Sequence, residues 1–278
     1  VLGMGVVFST GAAKNALMPY ATFFAIVAGI MLLALLVFML TVREPKFVCE
    51  MEAESRRFHI DELPEGETGK AAKRPLSKGE RASLLLILAS VVFWFMGYNA
   101  VTSKYSVYAG KVLDLDYNTT LLLANIAAVA AYLPVGMIAS KIGRKKTILA
   151  GIVMLATSFG VASFLREGSS ALVMNCMFAL AGIGWATINV NSFPMVVELS
   201  RGGDVGKYTG FYYTASMAAQ TITPYFSGLL MDKIGMTTLF PYATIFVAIA
   251  FGTMLFVKHG DSRPEQPKSK LEALGGEE

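Results

Sequence analysis

The sequence has little charge and few of the residues on which most enzymes depend. Charged residues make up 16% of its 278 positions and hydrophobic residues 54%, whereas a soluble domain of this length needs more charge to cover its surface. It has only two histidines, His59 and His259, and no histidine–cysteine cluster at metal-ligand spacing. We find no nucleophile–base pair and no phosphate-binding loop. These absences argue against an enzyme and give no reason to expect a metal or another cofactor.

Cysteine is equally scarce. Cys49 lies in a charged segment, which we expect to be an aqueous loop, and Cys176 lies in a long apolar run. Two cysteines in such different surroundings do not predict a disulfide. Alternating segments of about ten residues, the pattern of a membrane β-barrel, are missing as well.

What the sequence does contain is a series of long apolar runs. Each exceeds the roughly 18 residues that mark a membrane-spanning helix. They predict an all-α, polytopic membrane protein with seven complete spans. We place the spans near residues 20–42, 83–109, 119–140, 146–165, 170–198, 208–231 and 237–257.

The segments between the runs predict four regions. Residues 1–42 hold the first span, and 83–257 hold a bundle of six. Residues 43–82 are rich in charge of both signs, which predicts a solvated linker with a short amphipathic helix near Cys49–His59. The polar residues 258–278 predict a disordered tail. Because the chain starts without Met, we expect it to be part of a longer protein.

A cationic turn between two spans, Tyr132–Gly151, orients the whole chain. It carries four Lys and Arg residues and no acid. If this turn is cytoplasmic, 19 of the 24 Lys and Arg residues fall on the cytoplasmic side and five on the other. Loops with excess positive charge face the cytoplasm. We therefore expect the turn, the linker and the tail to be cytoplasmic, in a plasma membrane.

The same turn resembles a family signature. Its spacing is similar to G-x-x-x-D-[RK]-x-G-[RK]-[RK], the cytoplasmic motif of major facilitator superfamily transporters, with Ser140 where that family has Asp. The resemblance implies that the chain supplies one helix, a cytoplasmic loop and the C-terminal six-helix bundle, and that a missing N-terminal helical bundle is its partner. It also implies a gate that opens and closes as the transporter changes conformation. The residues expected to form this gate are Gly136, Ser140, Lys141, Gly143, Arg144, Lys145, Glu198 and Lys207.

The gate residues have distinct expected roles. Gly136 is expected to allow close helix packing, and Gly143 a tight turn. The cations are expected to bond to helix C-terminal carbonyls. Glu198 is expected to pair with Arg144 or Lys207.

A second stretch points to one branch of the superfamily. Residues 192–210 pair Pro194 and Glu198 with a short polar loop and Lys207 to Gly210. This is similar to the tenth-helix region of the glycoside–pentoside–hexuronide:cation symporters and related proton-coupled sucrose and hexose carriers. The resemblance implies transport of a small polar solute, such as a sugar or glycoside, coupled to proton or sodium. Drug or lipid efflux on the same fold, or a non-transporting scaffold or sensor, remain alternatives.

Polar and aromatic residues inside the apolar runs are the candidates for solute binding. Aromatic rings stack on sugar faces, and amides both donate to and accept from hydroxyls. Asn189 and Asn191 point about 200° apart on a helix, so at most one faces a cavity and the other is expected to bond to a neighbouring helix. Tyr105 and Tyr108 are equally well explained as an interfacial belt. The candidates are Trp94, Tyr98, Asn99, Asn125, Asn189, Asn191 and Gln220.

Two further patterns remain open. No Asp or Glu falls in the middle of a span, so a coupling carboxylate is expected in the N-terminal bundle. Residues 228–235, GLLMDKIG, repeat the spacing of the cationic turn on the opposite side of the membrane. They are either the remnant of an internal repeat or a plain helix end.

Overall fold

The computed structural model describes residues 20–41, 50, 76–200 and 205–261. Helices account for nearly all of these, and none of them forms a strand. The fold class predicted from the sequence, an all-α polytopic membrane protein, is confirmed. The chain divides into two compact units, residues 1–70 and 71–278. The predicted amphipathic helix near Cys49–His59 and most of the linker lie outside the described residues.

The first unit contributes one helix, α1 (Tyr20–Thr41). Its 22 residues carry no acid and no base, and the large side chains from Phe24 onward are mostly more than half exposed. At 1.5 Å per residue such a helix is about 33 Å long, enough for the ~30 Å hydrocarbon core of a bilayer. An apolar helix with no polar face of its own is suited to a lipid environment.

The described residues of the second unit form six helices. They are α2 (Lys78–Tyr108), continued by a π-helical turn Ala109–Leu113, α3 (Tyr117–Ile142), α4 (Arg144–Ala162), α5 (Ala171–Val197), α6 (Val205–Lys233) and α7 (Leu239–Leu255), preceded by a 3-10 turn Met236–Thr238. Of the seven helices in the described ranges, six meet the length and apolarity of a membrane span: α1 to α5 and α7. The exception, α6, has 29 residues but carries a polar N-terminal half.

Helix α2 begins at Lys78, five residues before the start that the apolar run predicts. Its N-terminus is a capping box. The Glu80 N–H donates to the Ser77 hydroxyl at 3.2 Å, and the Ser77 N–H donates to the Glu80 carboxylate at 2.8 Å. Such a box satisfies two backbone donors that would otherwise lack a partner. It therefore extends the helix beyond the membrane-spanning run.

The six helices form two groups of three with opposite directions. Helix α2 packs against α6 and α7, whereas α5, which runs antiparallel to α2, packs against α3 and α4. Helices α4 and α7 join the two groups. Helices α2, α3 and α4 thus correspond to α5, α6 and α7 in the opposite orientation, which makes the bundle an inverted repeat.

Glycine makes a close helix contact in each group. A Cβ atom on Gly97 would lie 2.9 Å from the carbonyl oxygen of Ala243 on α7. A Cβ atom on Gly184 would lie 2.9 Å from the carbonyl oxygen of Gly151 on α4. Because real Cβ atoms do not approach this closely, both positions require glycine.

The core between these helices is aromatic. Trp94, Tyr105 and Tyr108 on α2 are fully buried, and the two tyrosines contact Phe240 of α7. Tyr105 and Tyr108 are therefore core residues and do not form an interfacial belt. Their burial fixes the orientation of α2. Tyr98, seven residues before Tyr105, lies on the same side of the helix but is only half-buried, and Asn99 points about 100° away from it.

Candidate functional site

Two aromatic rings meet where α2 and α5 pass each other. Tyr98 and Trp185 are stacked, with ring centroids 3.8 Å apart and an angle of 4° between the planes. Phe95 meets Trp185 edge-on at 5.0 Å. Both stacked rings are only half-buried. Tyr98 follows Gly97, and Trp185 follows Gly184. Each glycine lets the helix backbone lie against a neighbouring helix, and the ring of the next residue extends in another direction.

Two amides flank this stack. The Asn99 side-chain N–H donates to the Phe95 carbonyl at 2.8 Å, and that of Asn189 donates to the Trp185 carbonyl at 3.0 Å. Each bond fixes the amide and uses one of its donors, which leaves the amide oxygen and a second N–H for a ligand. Both side chains are half-buried. We call Tyr98, Asn99, Trp185 and Asn189 the α2–α5 face.

Helices α3 and α6 border this face. On α3, Asn125 lies seven residues before Tyr132, on the same side of the helix. Phe193 of α5 contacts Tyr213 on α6 at 5.8 Å between ring centroids; Gln220 lies seven residues further, again on the same side. Asn125 and Gln220 are exposed. Both are thus exposed positions on helices that pack beside the face.

Two predicted binding residues lie elsewhere. Trp94 is fully buried in the core, and Asn191 is 2% exposed. The Asn191 amide donates to the Thr187 carbonyl of its own helix at 2.8 Å, whereas a bond to a neighbouring helix was the expectation. As helical geometry predicts, Asn189 and Asn191 point to different sides; Asn189 is the one on the α2–α5 face.

Trp185 is the residue of this face that the sequence pattern left unassigned. It contacts both Tyr98 and Phe95 and joins α2 to α5. One signal in the sequence marks it: the dipeptides Gly97–Tyr98 and Gly184–Trp185 occupy corresponding places in the two groups of helices.

At the other candidate site, the cationic turn joins α3 to α4. Gly143 ends α3 with φ 97° and also precedes the first residue of α4, a conformation that favours glycine. Arg144 forms an ion pair with Glu198 at the end of α5. This is one of the two partners expected for Glu198. The pair ties the start of α4 to the C-terminal end of α5.

Lys145 connects the same turn to α7. Its ammonium group donates to the carbonyls of Leu255 at 2.8 Å and Val257 at 2.6 Å. These belong to the C-terminal end of α7, where a cation is favourable because the last carbonyls lack helical partners. The expected bonding of these cations to helix C-termini is therefore present for Lys145.

Residues Lys258–Asp261, which we call the C-terminal strap, close this end of the bundle. His259 and Ser83 of α2 are joined by a 2.9 Å hydrogen bond between Nδ1 and Oγ. The backbone N–H of Lys145 donates to Asp261 at 3.1 Å. Gly260 has φ 91° and lies against the Met195 carbonyl of α5. The sequence predicts a disordered tail from residue 258, but these four residues contact three helices; residues 262–278 lie outside the described residues.

The remaining gate candidates make fewer contacts. No atom lies within 4 Å of a Cβ position on Gly136 in the described part of the chain, so the expected close helix packing is not seen there. Ser140, in the position of the motif's Asp, donates to the Met137 carbonyl at 2.8 Å. Lys141 is exposed. Lys207 lies 5.9 Å from the ring of Phe211.

Comparison with known proteins places this arrangement in a family context. The sequence model of the Major Facilitator Superfamily matches residues 1–192 and 119–276, which together cover nearly the whole chain. Together with the apolar helices, this match identifies an integral membrane protein.

Two curated relatives are similar to parts of the chain. MFS-type transporter ppzB of Metarhizium rileyi is 22% identical over 138 residues, which are 49% of this chain and 28% of that protein. An uncharacterised MFS-type transporter of Methanocaldococcus jannaschii is 28% identical over 184 residues, 62% of this chain and 44% of that protein. The matches thus span less than half the length of these relatives.

Solved structures share the fold at low sequence identity. A POT family transporter in complex with a thioalcohol-conjugated peptide is 17% identical, with a TM-score of 0.58 over 69% of this chain and 42% of that one. The human organic anion transporter MFSD10 is 15% identical, with a TM-score of 0.53 over 69% of this chain and 51% of that one.

Proposed function

Because the chain belongs to the Major Facilitator Superfamily, we propose that it forms part of a secondary transporter for a small neutral polar solute, such as a sugar or glycoside. The solute contacts the α2–α5 face, and the cationic turn gates access from the cytoplasm. The observation that carries this proposal is the stacked pair Tyr98–Trp185 with an orientated amide on each side.

The chemistry of the face favours a solute with hydroxyl groups. Aromatic rings offer an apolar surface to the C–H face of a sugar, and the free amide atoms of Asn99 and Asn189 match its hydroxyls. None of the four residues is charged. The peptide and the organic anion named for the solved relatives carry formal charge, for which this face supplies no counter-charge.

Coupling to a proton or sodium gradient requires groups beyond these. In α2 to α7 and their described connections, every carboxylate lies at a helix end or in a turn: Glu80, Asp114, Asp116, Glu167, Glu198, Asp232 and Asp261. We therefore infer that the coupling carboxylate belongs to a second helical bundle, the N-terminal one of a complete transporter. The likeness of residues 192–210 to the glycoside–pentoside–hexuronide symporters supports this mode of coupling.

The arrangement of the turn supports a gate on one side. Arg144 and Lys145 hold the ends of α5 and α7 together, so this end of the bundle moves as one body when two bundles rock about a central site. Because 19 of the 24 Lys and Arg residues fall in the segments predicted to be cytoplasmic, we propose that the gate, the linker and the tail face the cytoplasm of a cell whose plasma membrane holds the protein.

Transport by the complete protein in proteoliposomes tests the proposal. We would measure uptake of labelled mono- and disaccharides with and without an inward proton or sodium gradient, beside a dipeptide, an organic anion and a lipophilic cation. Gradient-dependent uptake of a sugar is expected. Uptake of only the dipeptide, the anion or the lipophilic cation contradicts the proposal, and so does the absence of uptake by folded protein.

A pair of variants tests the site itself. Asn189→Ala removes one hydrogen-bonding side chain from the face, and a neutral hydrogen bond of 0.5–1.5 kcal/mol corresponds to an increase in KM of roughly 2- to 10-fold. Asn191→Ala removes the same amide, with the same intrahelical bond, from the interior of the bundle. It should reduce the yield of folded protein and leave KM unchanged. Equal KM values for both variants would remove Asn189 from the site.

A further inference from the structure

A groove lies between α2, α6 and α7, away from the α2–α5 face. Its volume is about 700 Å³. Phe226 and Ile245, on its two walls, are 48% and 58% exposed, so the groove is open along its length to the surroundings of the bundle. Its lining is almost entirely apolar and includes Met96, Phe226, Leu230, Ile245 and Phe246.

The dimensions of the groove match one lipid chain. Along α7 it extends from Thr238, at the end of the bundle opposite the cationic turn, to Phe246. Eight residues of helix correspond to about 12 Å. One leaflet contributes about half of a ~30 Å hydrocarbon core, roughly 15 Å. The groove therefore covers most of the depth of a single leaflet.

A cation stands at the mouth of this groove. Arg166 follows the end of α4, and its Nη1 donates to the carbonyls of Ser163 and Leu165, both at 2.7 Å. These bonds use one nitrogen and hold the guanidinium in place; the N–H groups on Nε and Nη2 remain for another acceptor. Within the described ranges no acidic side chain forms an ion pair with Arg166. A fixed, free guanidinium is suited to a phosphate, which it can bind with two parallel hydrogen bonds.

A second groove provides an internal comparison. It lies between α3, α4 and α5, the helices that correspond to α6, α7 and α2 in the inverted repeat, and has a volume of about 430 Å³. Its lining is also apolar, with Ala130, Pro134 and Ile183 among its residues, but it includes no charged residue. Both grooves thus have an apolar lining, but only the groove between α2, α6 and α7 has a cation at its mouth.

We propose that the groove between α2, α6 and α7 binds one acyl chain of an anionic membrane phospholipid whose phosphate pairs with Arg166. The groove supplies the apolar contact and the guanidinium selects the anionic headgroup. This site is independent of the solute that the protein carries.

Lipid retention tests this assignment. The full chain, reconstituted in nanodiscs of phosphatidylcholine and phosphatidylglycerol at 4:1, is extracted into mild detergent, and the lipids that remain bound are counted by native mass spectrometry. We expect retained phosphatidylglycerol to exceed its share of the bilayer, and Arg166→Gln to lower it at least fivefold. Lys111→Gln removes an exposed cation at the same end of the bundle that does not line the groove, and it should change nothing.

A second pair of variants tests the acyl chain. Ile245→Trp fills the groove and should displace the lipid although Arg166 is intact, whereas Ile249→Trp adds the same ring to an exposed position of α7 outside the groove and should retain it. Thermal unfolding in detergent verifies that each variant is folded. Retention without preference for phosphatidylglycerol, or the same retention by both members of either pair, would overturn the proposal.

Discussion

Two turns of this protein, at opposite ends of the bundle, share a backbone and differ in chemistry. The first comprises residues 136–143, which are the end of α3 and the link to α4. The second comprises residues 228–235, which are the end of α6 and the start of its link to α7. Each begins with glycine, has Lys–Ile–Gly at its end, and closes on a glycine with positive φ, 97° at Gly143 and 139° at Gly235. The two turns therefore occupy the same position in the two groups of helices.

The residues after each turn explain the chemical difference. Arg144 and Lys145 follow the first turn, and Met236 and Thr237 stand at the corresponding places after the second. Only the first pair bonds to Glu198 and to the end of α7. The inverted repeat thus sets the path of the backbone, while the local sequence decides which end of the bundle is held together by charge.

The two turns are 92 residues apart in the sequence, and the same distance separates two residues that α2 and α5 contact. Gly184 on α5 lies against Gly151, and Gly97 on α2 lies against Ala243, which is 92 residues after Gly151. Of the two explanations that the sequence leaves open for residues 228–235, an internal repeat accounts for both observations, and a plain helix end accounts for neither.

Among these predictions, the largest loss of stability is expected at the glycine contact that both groups of helices share. Glycine to alanine inside a helix is normally stabilising by roughly 0.5–1 kcal/mol. At Gly97 and Gly184, however, the methyl group would meet a backbone carbonyl at 2.9 Å, so we expect each variant to be destabilised by about 1–3 kcal/mol. Thermal unfolding in detergent measures this. Gly136→Ala, in open space, is the control and should not be destabilised; a large effect at only one of Gly97 and Gly184 breaks the equivalence.

An intermediate effect is expected where the two turns differ. Arg144→Gln leaves Glu198 without its cation. Because the two side chains are 32% and 20% exposed, the loss should fall between the ~1 kcal/mol of exposed pairs and the ~3 kcal/mol of buried ones. The exchange Arg144→Glu with Glu198→Arg should recover part of it. Lys233→Gln, at the second turn, is the control. A loss of stability as large for Lys233→Gln as for Arg144→Gln would mean that charge holds both ends.

The smallest effect concerns the end without the cationic turn. Asp116 caps α3 there. Its carboxylate accepts the Asn118 backbone N–H at 3.1 Å, and this bond, together with those from Thr119 and the Asn118 side chain, lowers its pKa. A lowered folded-state pKa stabilises the protein above the unfolded pKa of about 3.9, and this stabilisation is lost as the pH falls through the folded pKa. Loss of an N-cap costs roughly 0.5–1 kcal/mol.

The variant Asp116→Asn distinguishes the capping hydrogen bond from the effect of the carboxylate charge. Asparagine caps a helix as well as aspartate does but does not titrate. We expect Asp116→Asn to match the parent protein at pH 7 and to lose less stability between pH 5 and pH 3. Identical pH profiles for the two proteins would show that Asp116 does not contribute to acid sensitivity.

The sequence predicted the helices well because apolar length is a local property that a membrane requires. One predicted span, 208–231, falls in α6, whose polar N-terminal half keeps it outside the set of apolar spans. The start of α2 was predicted five residues late, although Ser77 and Glu80 at capping-box spacing were available as a signal. The strap was not predictable in this way, because its order depends on partners such as Ser83 and Lys145 that lie far away in the sequence.

For the candidate site, the sequence predicted the types of residue better than their directions. The helical period shows that Asn189 and Asn191 face different ways, but the apolar residues of α5 are spread around its whole circumference, so no polar stripe indicates which side is inward. On α2, Trp94 and Tyr98 are four residues apart and share a side of the helix, yet only Trp94 is fully buried. Which of each pair is accessible follows from contacts with α4 and α7, a tertiary property that periodicity does not contain.

The strap also dictates an order of events during biosynthesis. Ser83 and His259 are 176 positions apart, so a ribosome must complete all six helices of the bundle and four more residues before this hydrogen bond can form. Until then the ends of α2, α4 and α5 on that side lack their shared partner. The end of the bundle at the cationic turn is consequently the last to be completed. A nascent chain cut short just before residue 258 contains all six described helices of the bundle but lacks the strap that closes that end.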